Sequence, residues 1–112
     1  MTKDSLISEV DGRTLRLTVL GEIDHHSAKG LREKIDSLLF YHRPQTLYLV
    51  LSEVSFMDSS GLGLILGRYT RMKELGGDMI LVHPTRQIEK ILALAAMDKT
   101  LPIQKRQNRK DT

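Results

Sequence analysis

Cysteine is absent from this chain, which removes disulfides, thiolate metal ligands and cysteine nucleophiles. No apolar run approaches the roughly 18 residues of a membrane span. No secretory apolar region follows Met1 either, because "MTKDSLISEVDGR" is charged from its third residue. These absences lead to the expectation of a cytoplasmic protein. At 112 residues, with 40% hydrophobic and 28% charged, the chain has the composition of one globular domain with one core. Little is left over for an insertion, so an enzyme of this length would have to be minimal.

A basic excess is also missing from most of the chain. The formal net charge is +3, yet four of the 17 basic residues and one of the 14 acids lie in "QKRQNRKDT" (104–112), leaving 13 of each sign over 1–103. The division expected is therefore a domain over 1–103 and a basic, flexible tail over 104–112. That tail has no apolar residue to order it and no aromatics interleaved with its cations, so direct DNA binding is not expected of it.

What is present is a run of alternating periodicities. "TLRLTVL" (14–20) places Leu15, Leu17 and Val19 on one face at strand spacing, and "SLISEV" before it reads as a partner strand across an Asp11-Gly12 hairpin turn. From Ser27 to Phe40 the period becomes helical, with Ala28, Leu31, Ile35, Leu38 and Leu39 on one face and Asp24 or Ser27 available as a cap. "TLYLVL" (46–51) is continuously apolar, the pattern of a strand covered on both faces. A second helix is expected from about Ser60 to Leu75, with Leu62, Ile65, Leu66, Tyr69 and Met72 buried and Gly76-Gly77 as its stop. "DMILV" (78–82) reads as another buried strand, and Pro84-Thr85 opens a third helix bearing Ile88, Ile91, Leu92 and Ala95. "LPIQ" (101–104) suits a short edge strand, since Pro102 would interrupt a central one.

Strand, helix, strand, helix, strand implies parallel pairing with right-handed crossovers. The fold expected is a small single α/β domain, a mostly parallel sheet with an amino-terminal hairpin, covered by helices. The loops holding "GEIDHHS" and "SFMDSSG" both leave carboxyl ends of strands, so Asp24 is expected beside Asp58 and Ser59.

"SFMDSSGLGLILGR" (55–68) is the stretch with chemical content. A serine nucleophile is disfavoured, because Met57-Asp58-Ser59-Ser60-Gly61 lacks the first glycine of G-x-S-x-G and the short chain has no evident lid or pocket. A phosphate cradle is disfavoured as well: G-x-G-x-x-G would need glycine at Leu66, and no Gly-Lys-Ser/Thr follows. Gly61 and Gly63 relax the first turn, while Gly63 and Gly67 offer a bare face for close approach. Helical projection puts Ser60, Leu64, Gly67 and Arg71 opposite the buried stripe, as a docking strip. Ser59, at the helix start on such a surface, is a candidate phosphate acceptor: the added charge of about −1.5 to −2 is tolerated by the helix dipole but repels acids of a partner. Asp58 or Ser59 also serves as a helix cap. "DHH" (24–26) alone makes no metal site, since only His42 and His83 remain elsewhere. No metal and no cofactor are expected. A minimal metal-dependent phosphoesterase using Asp24, His25, His26 and Asp58 is the rival from a different class.

"GEIDHHSA" together with "SFMDSSGLGLILGRYTRMKELGGDMILV" resembles the bacterial anti-sigma factor antagonists of the STAS domain family, of the sporulation stage II AA type, over residues 6–97. The resemblance implies a non-enzymatic partner-switching protein. Its unphosphorylated form would bind an anti-sigma factor that is also a serine kinase, releasing the sigma factor. ATP-dependent phosphorylation would end that binding, and a serine phosphatase would restore it. Carried onto this chain, it places the phosphate on Ser59 and makes Asp24, Asp58 and Ser60 part of the surface the kinase reads. Gly61, Leu62 and Gly63 extend that surface, and the projected Leu64, Gly67 and Arg71 join it. A STAS partner-switching module of another stress-response pathway is the alternative assignment. One departure stands out: relatives of this type continue into a further carboxy-terminal helix, whereas residues 104–112 show no helical stripe.

Overall fold

Side-chain alternation along the strands sets the layers of the computed structural model, which describes residues 5–105. In chain order the elements are β1 (Leu6–Asp11), β2 (Thr14–Val19), β3 (Gly21–Ile23), α1 (Ala28–His42), β4 (Thr46–Val50), β5 (Val54–Met57), α2 (Ser59–Glu74), β6 (Asp78–Val82), α3 (Arg86–Leu94), a 3₁₀ turn at Met97–Lys99, and β7 (Ile103–Gln104). The main sheet has the order β1-β2-β4-β6-β7, with β1 antiparallel to β2 and the other pairs parallel. This is the small, mostly parallel α/β arrangement expected, with Ile103 and Gln104 forming the short edge strand. Most of the 104–112 tail lies outside the described residues.

The amino-terminal hairpin turns at Gly12-Arg13, one residue later than the expected Asp11-Gly12, because Asp11 pairs with Thr14. Gly12 has φ 62 and so supplies the positive dihedral needed at the first position of a two-residue loop.

Register stacks the core in rows. Leu15 pairs with Leu47 and Leu47 with Met79, while Leu17 pairs with Leu49 and Leu49 with Leu81. All six side chains are buried and share one cluster with Ile35 and Leu39 of α1, Ile65 and Met72 of α2, and Ile88 and Leu92 of α3. The other face differs from the expectation of two covered faces for 46–51: Arg16, Tyr48 and Ile80, also in register, are only half-buried. Apolar character on both sides of a strand does not require equal cover on both.

The burial phase of α2 corrects the projected one. Gly61, Leu64, Ile65 and Met72 face inward, and Arg68 occupies the same stripe. Leu66, expected inside, is 42% exposed, and Leu64, expected outside, is 4% exposed. The physical reason is that residues 62, 64, 65 and 66 are all apolar, which leaves two helix phases open, and the inward one also carries Arg68. A sequence projection keeps a guanidinium off the apolar face, yet here Arg68 Nε lies 3.0 Å from Asp36 Oδ1 of α1, so the guanidinium is largely withdrawn from water, 11% exposed, while its counter-ion stays 43% exposed. Satisfaction is incomplete: Arg68 Nε and Nη1 and Asp36 Oδ1 lack aligned hydrogen-bond partners among the described residues. Burial pushes the Arg68 pKa down, against the pull of Asp36 in the opposite direction; Arg32 and Arg71 add to the fall.

Removing the acid alone leaves that guanidinium stranded. Asp36→Ala is expected to cost about 1–3 kcal/mol in urea unfolding, towards the lower end because the Asp36 side chain is 43% exposed. Arg68→Met, which removes the buried charge but keeps the length, is expected within about 1 kcal/mol of the wild type or above it.

Candidate functional site

A second, two-stranded sheet builds the site. β3 and β5 are parallel, with Ile23 opposite Met57, so the residues that follow them, Asp24 and Asp58, leave the pair side by side. The Asp58 N–H donates to the Ile23 carbonyl at 3.2 Å and ties the two exits together. The expected proximity of Asp24 to the Asp58-Ser59 segment is therefore present. The strands that deliver it are short ones absent from the sequence reading, three and four residues long, too short for periodicity to register.

Each aspartate caps the segment it opens. Asp24 Oδ1 accepts from the backbone N–H groups of His26 at 2.9 Å and Ser27 at 3.0 Å. In return Ser27 Oγ accepts from the Asp24 N–H at 3.0 Å and donates to the Glu22 carbonyl at 2.9 Å. This reciprocal arrangement has the logic of a capping box. The backbone N–H of Ser27 is the main reason the Asp24 carboxyl titrates below its usual 3.8, opposed by desolvation and assisted by His26 N–H, the Ser27 hydroxyl and the His26 charge. At the second exit, Asp58 is the N-cap of α2, and its Oδ1 accepts from the Ser60 N–H at 2.8 Å.

Ser59 follows as the first residue of α2, exposed, and no hydrogen bond engages its hydroxyl among the described residues. Ser60 is half-buried. The outward stripe of α2 runs Ser59, Gly63, Leu66 and Thr70, with Leu62 and Gly67 half-buried beside it. Leu64 is withdrawn from the docking strip because it packs in the core. Arg71 is exposed but stands three turns further along α2, away from Ser59. Two exposed apolar side chains near the site were missed by the sequence reading, Phe56 of β5 and Leu66, each 42% exposed. Period-2 alternation could not have flagged Phe56, because β5 is buried at both ends, Val54 and Met57, and exposed at Ser55 and Phe56 between them.

The glycines divide by function. A Cβ on Gly61 would collide with Met57 Cγ and Sδ and crowd Ile23 Cγ2, whereas Gly63 and Gly67 have open space where a Cβ would go. Within the chain, close approach thus belongs to Gly61 alone of the three. The DHH segment brings the exposed His25 and His26 rings to a centroid separation of 5.7 Å, edge to face. Among the described residues no group of three or more His, Asp or Glu side chains converges in a way that could hold a metal ion. No described helix is long and apolar enough to cross a membrane.

The class is thus a small α/β domain whose short parallel strands bring an Asp24 turn and the Asp58 N-cap of α2 to one edge, and comparison with known proteins is consistent with it. The STAS domain profile matches residues 5–108, and the chain belongs to the STAS domain family. It is 34% identical over 88 residues to an anti-sigma F factor antagonist of Lysinibacillus sphaericus, covering 79% of this chain and 75% of that one. It is 30% identical over 89 residues to the anti-sigma-B factor antagonist of Bacillus subtilis (strain 168), covering 80% of each. Among solved structures, the anti-sigma factor antagonist SpoIIAA in its unphosphorylated form superposes with a TM-score of 0.70 at 29% identity, over 95% of this chain and 92% of that one. The Bacillus cell fate determinant SpoIIAA in the phosphorylated form gives a TM-score of 0.71 at 28% identity, over 95% of each chain.

Two outcomes follow from the geometry. Because the folded Asp24 pKa is depressed, its stabilising contribution is fully present above the unfolded value of 3.8 and is lost as pH falls through the lower folded value. Asp24→Asn keeps an acceptor but not the titration, so its stability should fall less than that of the wild type below about pH 4 in unfolding curves. Gly61→Ala should cost about 1–3 kcal/mol by overpacking. Gly63→Ala should instead gain up to about 1 kcal/mol from helix propensity, both read by thermal or urea unfolding.

Proposed function

We propose that this chain is an anti-sigma factor antagonist that switches partners through phosphorylation of Ser59. One observation carries the proposal: Ser59 is exposed at the first position of α2, its hydroxyl unengaged, while the neighbouring Asp58 carboxylate is committed to the cap. In the unphosphorylated form the surface of Asp24, Asp58, Ser59, Ser60, Leu62 and Gly63, continuing to Gly67, binds an anti-sigma factor and thereby releases its sigma factor; Gly61, expected on that surface, is instead buried beneath it against Met57 and Ile23. Gly63 and Gly67 leave room there for the partner to approach the helix backbone closely.

The anti-sigma factor acts as the serine kinase. Ser59 Oγ attacks the γ-phosphorus of ATP, the bond to the β-phosphate oxygen breaks, ADP leaves, and the hydroxyl proton passes to a base of the kinase. The product carries about −1.5 to −2 additional charge beside two carboxylates. Within the domain the amino-terminal end of α2 favours that charge. In a complex the same charge has to be desolvated against a complementary surface, so the complex loses affinity while the fold keeps its stability. A serine phosphatase restores the binding form. The reading places this work in the cytoplasm, in control of a sporulation sigma factor, without direct contact to DNA. Similarity to the anti-sigma-B factor antagonist supports a second reading, in which the same switch serves a stress-response sigma factor.

Incubation with an anti-sigma kinase and Mg-ATP, followed by intact-mass spectrometry, tests the acceptor. One phosphate is expected on the wild type and on Ser60→Ala, none on Ser59→Ala. The phosphorylated protein should bind the kinase at least about tenfold more weakly by calorimetry. Which kinase binds, sporulation or stress-response, separates the two readings; phosphate on Ser59→Ala would move the acceptor and overturn both.

A further inference from the structure

The carboxyl ends of α1 and α2, at the opposite end of the helix pair from Ser59, flank a groove of about 330 Å³. Phe40, Pro44 and Leu75 form its apolar part, and Arg43, Arg71 and Asp36 its charged part. Phe40 is 71% exposed and Leu75 59%, so the chain leaves two large apolar side chains open to water at one place. Arg43 is held at φ 47, the left-handed region where glycine is the usual residue after a helix, and its guanidinium lies over the Phe40 ring at 5.2 Å from the centroid. Cation and ring are thereby presented as one surface.

The charge of this groove is unbalanced. Its acid, Asp36, is engaged by Arg68 at 3.0 Å, while among the described residues neither Arg43 nor Arg71 forms an ion pair. Helix dipoles favour a cation at each carboxyl end, but they give no reason for apolar side chains left open beside it. Arg71 is also about 18 Å along the α2 axis from Ser59, twelve residues at 1.5 Å each.

We propose that this groove docks an acidic partner segment carrying a leucine or phenylalanine beside its carboxylates. The apolar side chain packs between Phe40 and Leu75, and the carboxylates meet Arg43 and Arg71. A second copy of this chain fits poorly, because a two-fold contact through the groove would set arginines against arginines. The groove is separate from the Ser59 surface, so a segment bound there leaves Ser59 accessible to its own partner.

The test titrates the 15N-labelled full chain with an acetylated peptide of leucines flanked by glutamates, and with its glutamine counterpart. Amide shifts are expected across Asp36 to Gln45 and Arg71 to Gly77, with Ser59 unmoved. Binding should weaken at least about tenfold for the glutamine peptide, and likewise for Arg43→Glu combined with Arg71→Glu. Phe40→Ala should weaken it as well. All substituted side chains are exposed, and circular dichroism matching the wild type checks that the fold is kept. Equal binding of both peptides, shifts centred elsewhere, or no shifts overturns the proposal. So does a dimer in sedimentation that Phe40→Ala dissolves, since that gives the groove to a second copy.

Discussion

The contact on which the site depends is the seating of Gly61 against Met57 and Ile23. Because no side chain intervenes there, the first turn of α2 closes directly onto the β3 and β5 pair, and the Asp58 N–H reaches the Ile23 carbonyl. Everything at this end follows from that closure. It sets the burial phase of α2, brings the Asp24 turn beside the Asp58 N-cap, and turns Ser59 outward. A larger residue at 61 would push the helix start away from the strands and separate Asp24 from Asp58.

The two aspartates perform local structural work that also suits a switch. Each carboxylate is held by backbone N–H groups, Asp24 in a reciprocal cap with Ser27 and Asp58 at the start of α2. Negative charge is thus held at the two adjacent strand exits, one of them immediately before Ser59. Under the proposed function, phosphate enters a place where the helix terminus accepts charge but the neighbouring surface already holds two acids. The balance between these effects differs for the free domain, which stays hydrated, and for a complex, which does not.

Much of the architecture was legible because its signals are local. Period-2 alternation marked β2, a continuous apolar run marked β4 and β6, Thr85 and the residues after Pro84 marked the start of α3, and Pro102 pointed to an edge strand. The hairpin slipped by one residue because either Asp11-Gly12 or Gly12-Arg13 is acceptable turn chemistry, and only pairing with β2 chooses. β3 and β5 escaped notice because each exists through the other, and a strand of three or four residues has no period of its own. The outward face of α2 was misjudged for a related reason. Leucine or isoleucine stands at 62, 64, 65 and 66, so the apolar pattern admits two phases, and only packing against the rest of the domain chooses between them.

By itself the sequence determined a small α/β fold, the strands of the main sheet and the three helices in their order, the serine that follows an acid at a helix start, and the lack of thiol chemistry. These are properties of spacing, propensity and composition, readable one segment at a time. Tertiary structure alone decided which side of α2 meets the core, that Leu64 is hidden and Leu66 open, and that Arg68 pairs with Asp36 while Arg43 and Arg71 line a groove beyond reach of Ser59. Those are facts about partners supplied by distant segments: a counter-ion on another helix makes burial of a guanidinium tolerable, and no pattern within one helix records that the counter-ion is there.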